Sequence, residues 1–162
     1  MSSTPVEQVL GFVPIVQRRS GFLGLKVETF TVMVTSSRLV FAPILGQEMK
    51  DAVAEARAKA KQEGKNLLGQ WGAQFAWVSI VCERLAAMPV ESILDTRAGS
   101  FTLDHSTIKR VKVDVNAGDE DNQSSTRLVI ETQSGKQSFE LAQGSSRQVT
   151  ALLKQALGAV VK

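Results

Sequence analysis

The sequence has one cysteine, one histidine and no apolar run long enough to cross a bilayer. A lone Cys82 excludes a disulfide within the chain and fits a reducing compartment. One histidine and one cysteine leave only carboxylates as further metal ligands, so no metal and no other cofactor is expected. A phosphate-cradling loop is also missing, because GFLG at Gly21 to Gly24 and GQWG at Gly69 to Gly72 lack both its spacing and its lysine. The start of the chain, MSSTPVEQVLGFVPIVQRR, has no basic opening followed by an unbroken apolar stretch; Gly11, Pro14 and Gln17 interrupt it. Charge of one sign is scarce too. A net charge of +3 is too small to indicate nucleic acid unless the cations gather on one face. These absences lead to an expectation of a cytoplasmic protein, with any membrane contact peripheral at the inner face, and with no small-molecule substrate indicated.

What is present is ordinary globular composition, 43% apolar and 22% charged over 162 residues, which fits one domain spanning 1–162. The first quarter reads as strands. VLGFVPIVQRR carries Pro14 inside it, which removes a ladder donor and predicts either an edge position or a bulge. Arg18 to Gly24 then makes a turn. In LKVETFTVMVT, Val27, Thr29, Thr31, Met33 and Thr35 alternate with Glu28, Phe30, Val32 and Val34, the period of a strand. After Ser36 and Ser37, RLVFAPI returns as a third strand, with Val34, Leu39 and Phe41 as core candidates and Pro43 closing the run.

From Gln47 the character switches to helix formers. QEMKDAVAEARAKAKQEGK has a helical stripe made mostly of alanine, which packs thinly. NLLGQWGAQFAWVSIVCERLAAM repeats Leu68, Trp71, Phe75, Val78, Cys82 and Leu85 at intervals of three or four, although Phe75 to Val81 alone would also pass as a buried strand. Beyond Pro89, PVESIL reads as a short helical turn or linker. Strand patterns then resume in GSFTLDHSTIKRVKVDV, read as a short strand, a turn near His105 to Ser106 and a strand with Ile108, Val111, Val113 and Val115 apolar, and in a hairpin of RLVIETQ with KQSFELA across Ser134 and Gly135. SSRQVTALLKQALGAVVK closes the chain as an amphipathic helix with a serine cap at Ser145 or Ser146 and with Val149, Leu152, Leu153, Ala156, Leu157 and Val160 on one face.

TVMVTSSRLVFAP and ESILDTRAGSFTLDHSTIKRVKV resemble hairpin and strand segments of bacterial and archaeal pleckstrin homology (PH)-like and GRAM-like domains. The resemblance implies an α+β, mainly β fold: an open barrel of about seven antiparallel strands capped by a C-terminal helix. A helical insertion at about 47–88 then falls between strands three and four. It implies binding rather than catalysis, since such domains hold phosphoinositide head groups, phosphopeptides, other proteins or copies of themselves. The chain departs from the lipid-binding pattern in its first hairpin, where Glu28 is the charged residue on the facing strand.

Several chemistries were weighed against these residues. Asp104, His105 and Ser106 are consecutive, and neighbours on extended backbone point apart, so they form no relay. DEDNQSS has Ser124 where a calcium loop needs glycine, and Ile130 where it needs glutamate. Cys82 on an apolar face reads as an inert thiol. Arg38 reads as a group pinned by a neighbouring carboxylate or carbonyl. Two surfaces remain. Arg18, Arg19 and Lys26, with Arg57 and Lys61 one helical turn apart, are candidates for an anion or lipid surface. Trp71, Phe75 and Val78 are candidates for an oligomer contact, because a second apolar helix must cover its stripe on the barrel's outside or on another subunit. The expected function is a non-catalytic binding or assembly module acting through protein contact or self-association. Peripheral anionic-lipid binding is the alternative.

Overall fold

A computed structural model of the chain describes residues 7–20, 22–62, 67–116, 125–143 and 146–162. Among them are seven strands: β1 (Val9–Ser20), β2 (Lys26–Thr35), β3 (Arg38–Pro43), β4 (Phe101–Asp104), β5 (Ile108–Asn116), β6 (Ser125–Thr132) and β7 (Gly135–Gln143). Four α-helices accompany them: α1 (Gly46–Gln62), α2 (Leu67–Ala86), α3 (Val90–Thr96) and α4 (Ser146–Leu157). The class is α+β. Every neighbouring pair is antiparallel in the order β4-β3-β2-β1-β7-β6-β5, one open sheet with α1, α2 and α3 inserted between its third and fourth strands.

Pro14 sits within a register shift between Val13 and Val16, on a strand flanked by both β2 and β7. Of the two roles open to it, the bulge is the one observed. The span 74–82 is helical within α2, and its three-and-four spacing buries Val78, Val81 and Leu85. The polar hairpin loop at 117–124 and the cap at Ser145 lie outside the described residues. The hairpin of β6 and β7 turns through Gly135, whose φ of 138° suits glycine and not a residue with a Cβ.

The sheet rolls around a single inner core. Val13 and Val16 of β1, Phe30, Val32 and Val34 of β2, and Leu39 and Phe41 of β3 meet Val111, Leu128, Ile130 and Phe139 from the other half, with Val149 and Leu153 of α4 filling the middle. Val34, Leu39 and Phe41 are fully buried there. The rings of Phe41, Phe101 and Phe139 stack, with Phe30 edge-on to Phe41 and Phe101, so aromatic contacts run across the roll. Gly11 admits α4, because a Cβ there would stand 2.9 Å from Leu152.

A second core covers the opposite face of β1, β2 and β3. Ile15, Met33, Val40 and Ala42 point outward into Ala52 and Ala56 of α1, Trp77, Val78, Ile80, Val81 and Leu85 of α2, and Val90 and Ile93 of α3. Strand β2 is thereby buried on both faces, and its outward threonine, Thr31, donates its hydroxyl to the Pro14 carbonyl at 2.9 Å. Alanine on α1 lets that helix pack closely on α2, which in turn lies on β1 and β2.

The ends of this helical layer are fastened by a buried ion pair. Arg97, its side chain 8% exposed, donates to both carboxylate oxygens of Glu48 and to the Pro43 carbonyl at 3.0 Å. Removing one partner strands a buried charge, whereas replacing both by apolar groups does not. We expect Glu48→Ala to lower unfolding free energy in urea by about 3 kcal/mol and the double variant Glu48→Ala with Arg97→Met to recover most of it. Equal loss in the single and double variants would contradict the pairing.

Candidate functional site

The hairpin of β1 and β2 and the hairpin of β2 and β3 lie at opposite ends of β2, and the two ends have different chemistry. At the β3 end, Arg38 donates through Nε and Nη2 to the two oxygens of Glu7 at 2.9 and 3.0 Å, and Nη2 also reaches Glu91 of α3 at 3.0 Å. Glu7 accepts further from the Thr35 hydroxyl at 2.6 Å and the Ser37 hydroxyl at 2.8 Å. Four donors on one carboxylate hold its charge in place. The Arg38 guanidinium, aided by the two hydroxyls, lowers the Glu7 carboxyl to about 2 against the opposing cost of burial. Arg38 is thus a fastener between the chain's start, the β2–β3 turn and α3, and its carboxylate partners were only a generic expectation from sequence.

His105 lies beside this clamp in a turn of 3-10 helix, His105–Thr107, that joins β4 to β5. Its backbone N–H donates to the Ser37 carbonyl at 3.0 Å. Burial disfavours its charged form and depresses its pKa, while Asp104 and Glu7 partly offset that. Cys82 is half-buried on α2, and burial, with the Glu83 charge behind it, pushes its thiol up to about 11. At neutral pH such a thiol is almost wholly protonated and a poor nucleophile. Among the described residues no group of three or more histidine, cysteine or carboxylate side chains is placed to hold a metal ion.

The other end of β2 holds three of the sequence's candidate cations, and the pleat sorts them. Val16 faces inward, so Arg18 does too, and Arg19 faces outward. Arg18 lies over the rings of Phe101, Phe30 and Phe139 at 5.0, 5.3 and 5.9 Å, and donates to Glu28 at 2.6 Å and to Gln137 at 3.2 Å. It roofs the inner aromatic core with its charge neutralised by Glu28, its partner across β1 and β2. A residue assigned to a ligand surface is therefore largely consumed by the fold. Lys26, 72% exposed, stands 3.7 Å from the same carboxylate. Arg19 is exposed and lines a shallow cleft of about 240 Å³ with Gln17, Val27, Arg127, Ser138 and Glu140.

Between these cations the hairpin tip is apolar and outward. Phe22, Leu23 and Leu25 are 83, 80 and 79% exposed, and Val27 follows at 52%. Leu23 also has φ 59°, the left-handed region, where a side chain costs about 1 kcal/mol. Sequence reading took this stretch as a turn and went no further. The signal was available, because glycines on both sides of Phe-Leu force a reversal that cannot point those side chains at the core.

Arg57 and Lys61 lie on the exposed side of α1, in the helical layer, whereas Arg18, Arg19 and Lys26 belong to the β1–β2 hairpin. On the same helix, Glu55 bridges to Lys59 at 3.7 Å and to Arg84 of α2 at 2.6 Å, so the basic stretch is diluted by acid. Val78 is 7% exposed within the outer core, its burial supplied by its own chain. The side chains of Trp71 and Phe75 lie outside the described residues. No helix among the described residues is long and apolar enough to cross a membrane.

No protein-family model, no curated protein and no solved structure matches this chain.

The Glu7 clamp sets a pH window. The folded-state value near 2 lies below the ordinary 4.5, so the clamp's stabilisation is complete above pH 4.5 and is lost as pH falls through about 2. Glu7→Gln should lower the unfolding midpoint at neutral pH, and the gap to the parent should close between pH 4.5 and pH 2 in an acid series of urea melts. A gap independent of pH would refute the assignment.

Proposed function

We propose that this protein is a non-catalytic binding module of PH-like architecture whose recognition surface is the end of the barrel formed by the β1–β2 hairpin. The architecture rests on strand order and on the roll of the open sheet around α4. A seven-stranded antiparallel sheet ordered β4-β3-β2-β1-β7-β6-β5 is rolled around a C-terminal helix, with its two edge strands consecutive in the chain. That arrangement supports the resemblance carried by the two hairpin segments.

The observation that carries the functional reading is the exposure of Phe22, Leu23 and Leu25 at about four-fifths each. Several of the side chains that could do chemistry or gather anions are tied down or kept neutral. Arg18, Arg38 and Arg97 each hold a carboxylate, and His105 and Cys82 sit in surroundings that favour their neutral forms. Apolar surface left in water at a hairpin tip contributes nothing to folding, so its use lies in association.

Self-association through α2 has less support. The stripe that would form the contact includes Val78, and that part is already covered by β1, β2 and β3.

The reading requires that the tip be dispensable for folding. In the full chain, the pair Phe22→Ser and Leu25→Ser should leave the urea midpoint within the roughly 0.5 kcal/mol typical of surface substitutions. A fall of the size of a core truncation, about 3 kcal/mol or more, would mean these residues serve the fold, and the proposed recognition surface would be wrong.

A further inference from the structure

The open face of β5, β6 and β7 carries an ordered pattern of charge. In register across the three strands, Lys136, Glu131 and Arg110 form one row, and Glu140, Arg127 and Asp114 form a second row further along the same strands. The first row reads plus, minus, plus; the second reads minus, plus, minus. Between them lie Ser138, Val129 and Lys112. We infer that this face is the contact of a weak, two-fold symmetric dimer, in which a second copy of the chain lies against it with its strands reversed.

Alternation within a row serves the sheet itself, because opposite charges on neighbouring strands attract. The inversion of sign from one row to the other does not follow from that, since two rows of the same order would support the ladder equally well. Nor are most of these charges consumed by the fold. Among the described residues, the one ion pair on this face joins Lys112 to Asp114 within β5 at 3.2 Å. Arg110, Arg127, Glu131, Lys136 and Glu140 are exposed, and α1, α2 and α3 cover the other half-sheet.

Contact between two identical faces obeys a two-fold axis, and only two orientations of that axis keep the strands of both copies aligned. With the axis across the strands, through Val129, each row meets the opposite row of the second copy. Lys136 then faces Glu140 of the second copy, Glu131 faces Arg127, and Arg110 faces Asp114; symmetry repeats each pair. At the centre Val129 meets its own copy, an apolar contact. Lys112 also meets its own copy, with its charge turned to Asp114. With the axis along the strands, Glu131 would meet Glu131, Arg127 would meet Arg127, and Arg110 would meet Lys136. Every such contact repels, so the charges select the first orientation. A partner charged uniformly with either sign is a poorer occupant, because both rows would set like charges against it.

Sheets packed face to face stand about 10 Å apart, a gap that long charged side chains from both sides can span. Three strands of about eight residues cover roughly 14 by 27 Å, about 400 Å² per copy, which is half of a standard interface. Exposed ion pairs each contribute little and are screened by salt. The dimer is therefore salt-sensitive and populated only at high protein concentration. The β1–β2 tip is not part of it, so the inference stands apart from the recognition surface.

The test is sedimentation velocity of the full chain over a concentration series at low and high salt. A monomer–dimer equilibrium should appear at low salt and weaken as salt rises. Arg127→Glu and Glu131→Arg should each raise the dimer dissociation constant about tenfold or more, because each turns a facing pair and its symmetry mate into repulsions. An equimolar mixture of the two variants should recover association. The unchanged Glu131 of one then faces the unchanged Arg127 of the other, and the two introduced charges face each other. Both sites are exposed, so urea midpoints should stay near the parent's. Should either variant be destabilised, Lys136→Glu and Glu140→Lys make the same exchange at the neighbouring pair. A monomer throughout the series, a dimer indifferent to the single reversals, or a mixture that associates no better than its parts would overturn the inference. So would a dimer that the pair Phe22→Ser and Leu25→Ser abolishes while the reversals leave it intact, since the contact would then be at the tip.

Discussion

Burial of the β1–β3 half-sheet on both faces is the constraint from which the rest of this structure follows. Its inward side chains, Phe30, Val32, Val34, Leu39 and Phe41, fill the roll of the sheet, and its outward ones, Met33, Val40 and Ala42, are as thoroughly buried under the inserted helices. An antiparallel sheet can leave one face in water, and the other half of this sheet does so. There the outward side of β5, β6 and β7 carries Arg110, Lys112, Asp114, Arg127, Glu131, Lys136 and Glu140, a ladder of mixed charge around a shallow depression of about 150 Å³. One chain thus builds two half-sheets under different rules. The helical insertion exists, physically, to cover the first.

That division settles what the charged groups do. Arg97 pins α3 to the start of α1, Arg38 ties the chain's start and α3 to the β2–β3 turn, and Arg18 roofs the aromatic core from inside the roll. Each joins segments far apart in sequence, and each has a carboxylate partner. Other cations stay on the surface: Arg19 and Lys26 flank the β1–β2 turn with its exposed Phe22, Leu23 and Leu25, Arg57 and Lys61 lie along α1 near Glu55, and Arg110, Lys112, Arg127 and Lys136 lie on the open half-sheet.

The strands and the closing helix were legible because a single repeating contact imposes each of them. Alternation in β2 and the three-and-four spacing of Val149, Leu153 and Ala156 report which side of an element is covered. The pattern does not report what covers it. Val78, Cys82 and Leu85 announced an apolar face, and whether that face met its own sheet or another subunit depended on Met33, Val40 and Ala42 pointing outward, which is a tertiary fact. The ion pairs were illegible for a related reason. Glu7 with Arg38 and Glu48 with Arg97 are single contacts between distant positions and leave no period behind. Arg18 and Arg19 looked equivalent in the sequence, and a pleat of two residues sent one into the core and the other to solvent. Phe22, Leu23 and Leu25 were missed because turn rules ask which residues permit a reversal, and not where the others end up.

The β1–β2 tip stands apart from both cores, with Phe22, Leu23 and Leu25 exposed on a strained backbone beside Arg19 and Lys26. The account is tested most directly by placing one charge on each half-sheet at outward positions of the same residue type. Val40 on β3 is fully buried under the helices, and Val129 on β6 is half-buried on the open face. Val40→Asp should lower unfolding free energy by about 3 kcal/mol or more in urea titration, and Val129→Asp by less than about 1 kcal/mol. Similar losses at the two positions would contradict the division between a covered and an open half-sheet.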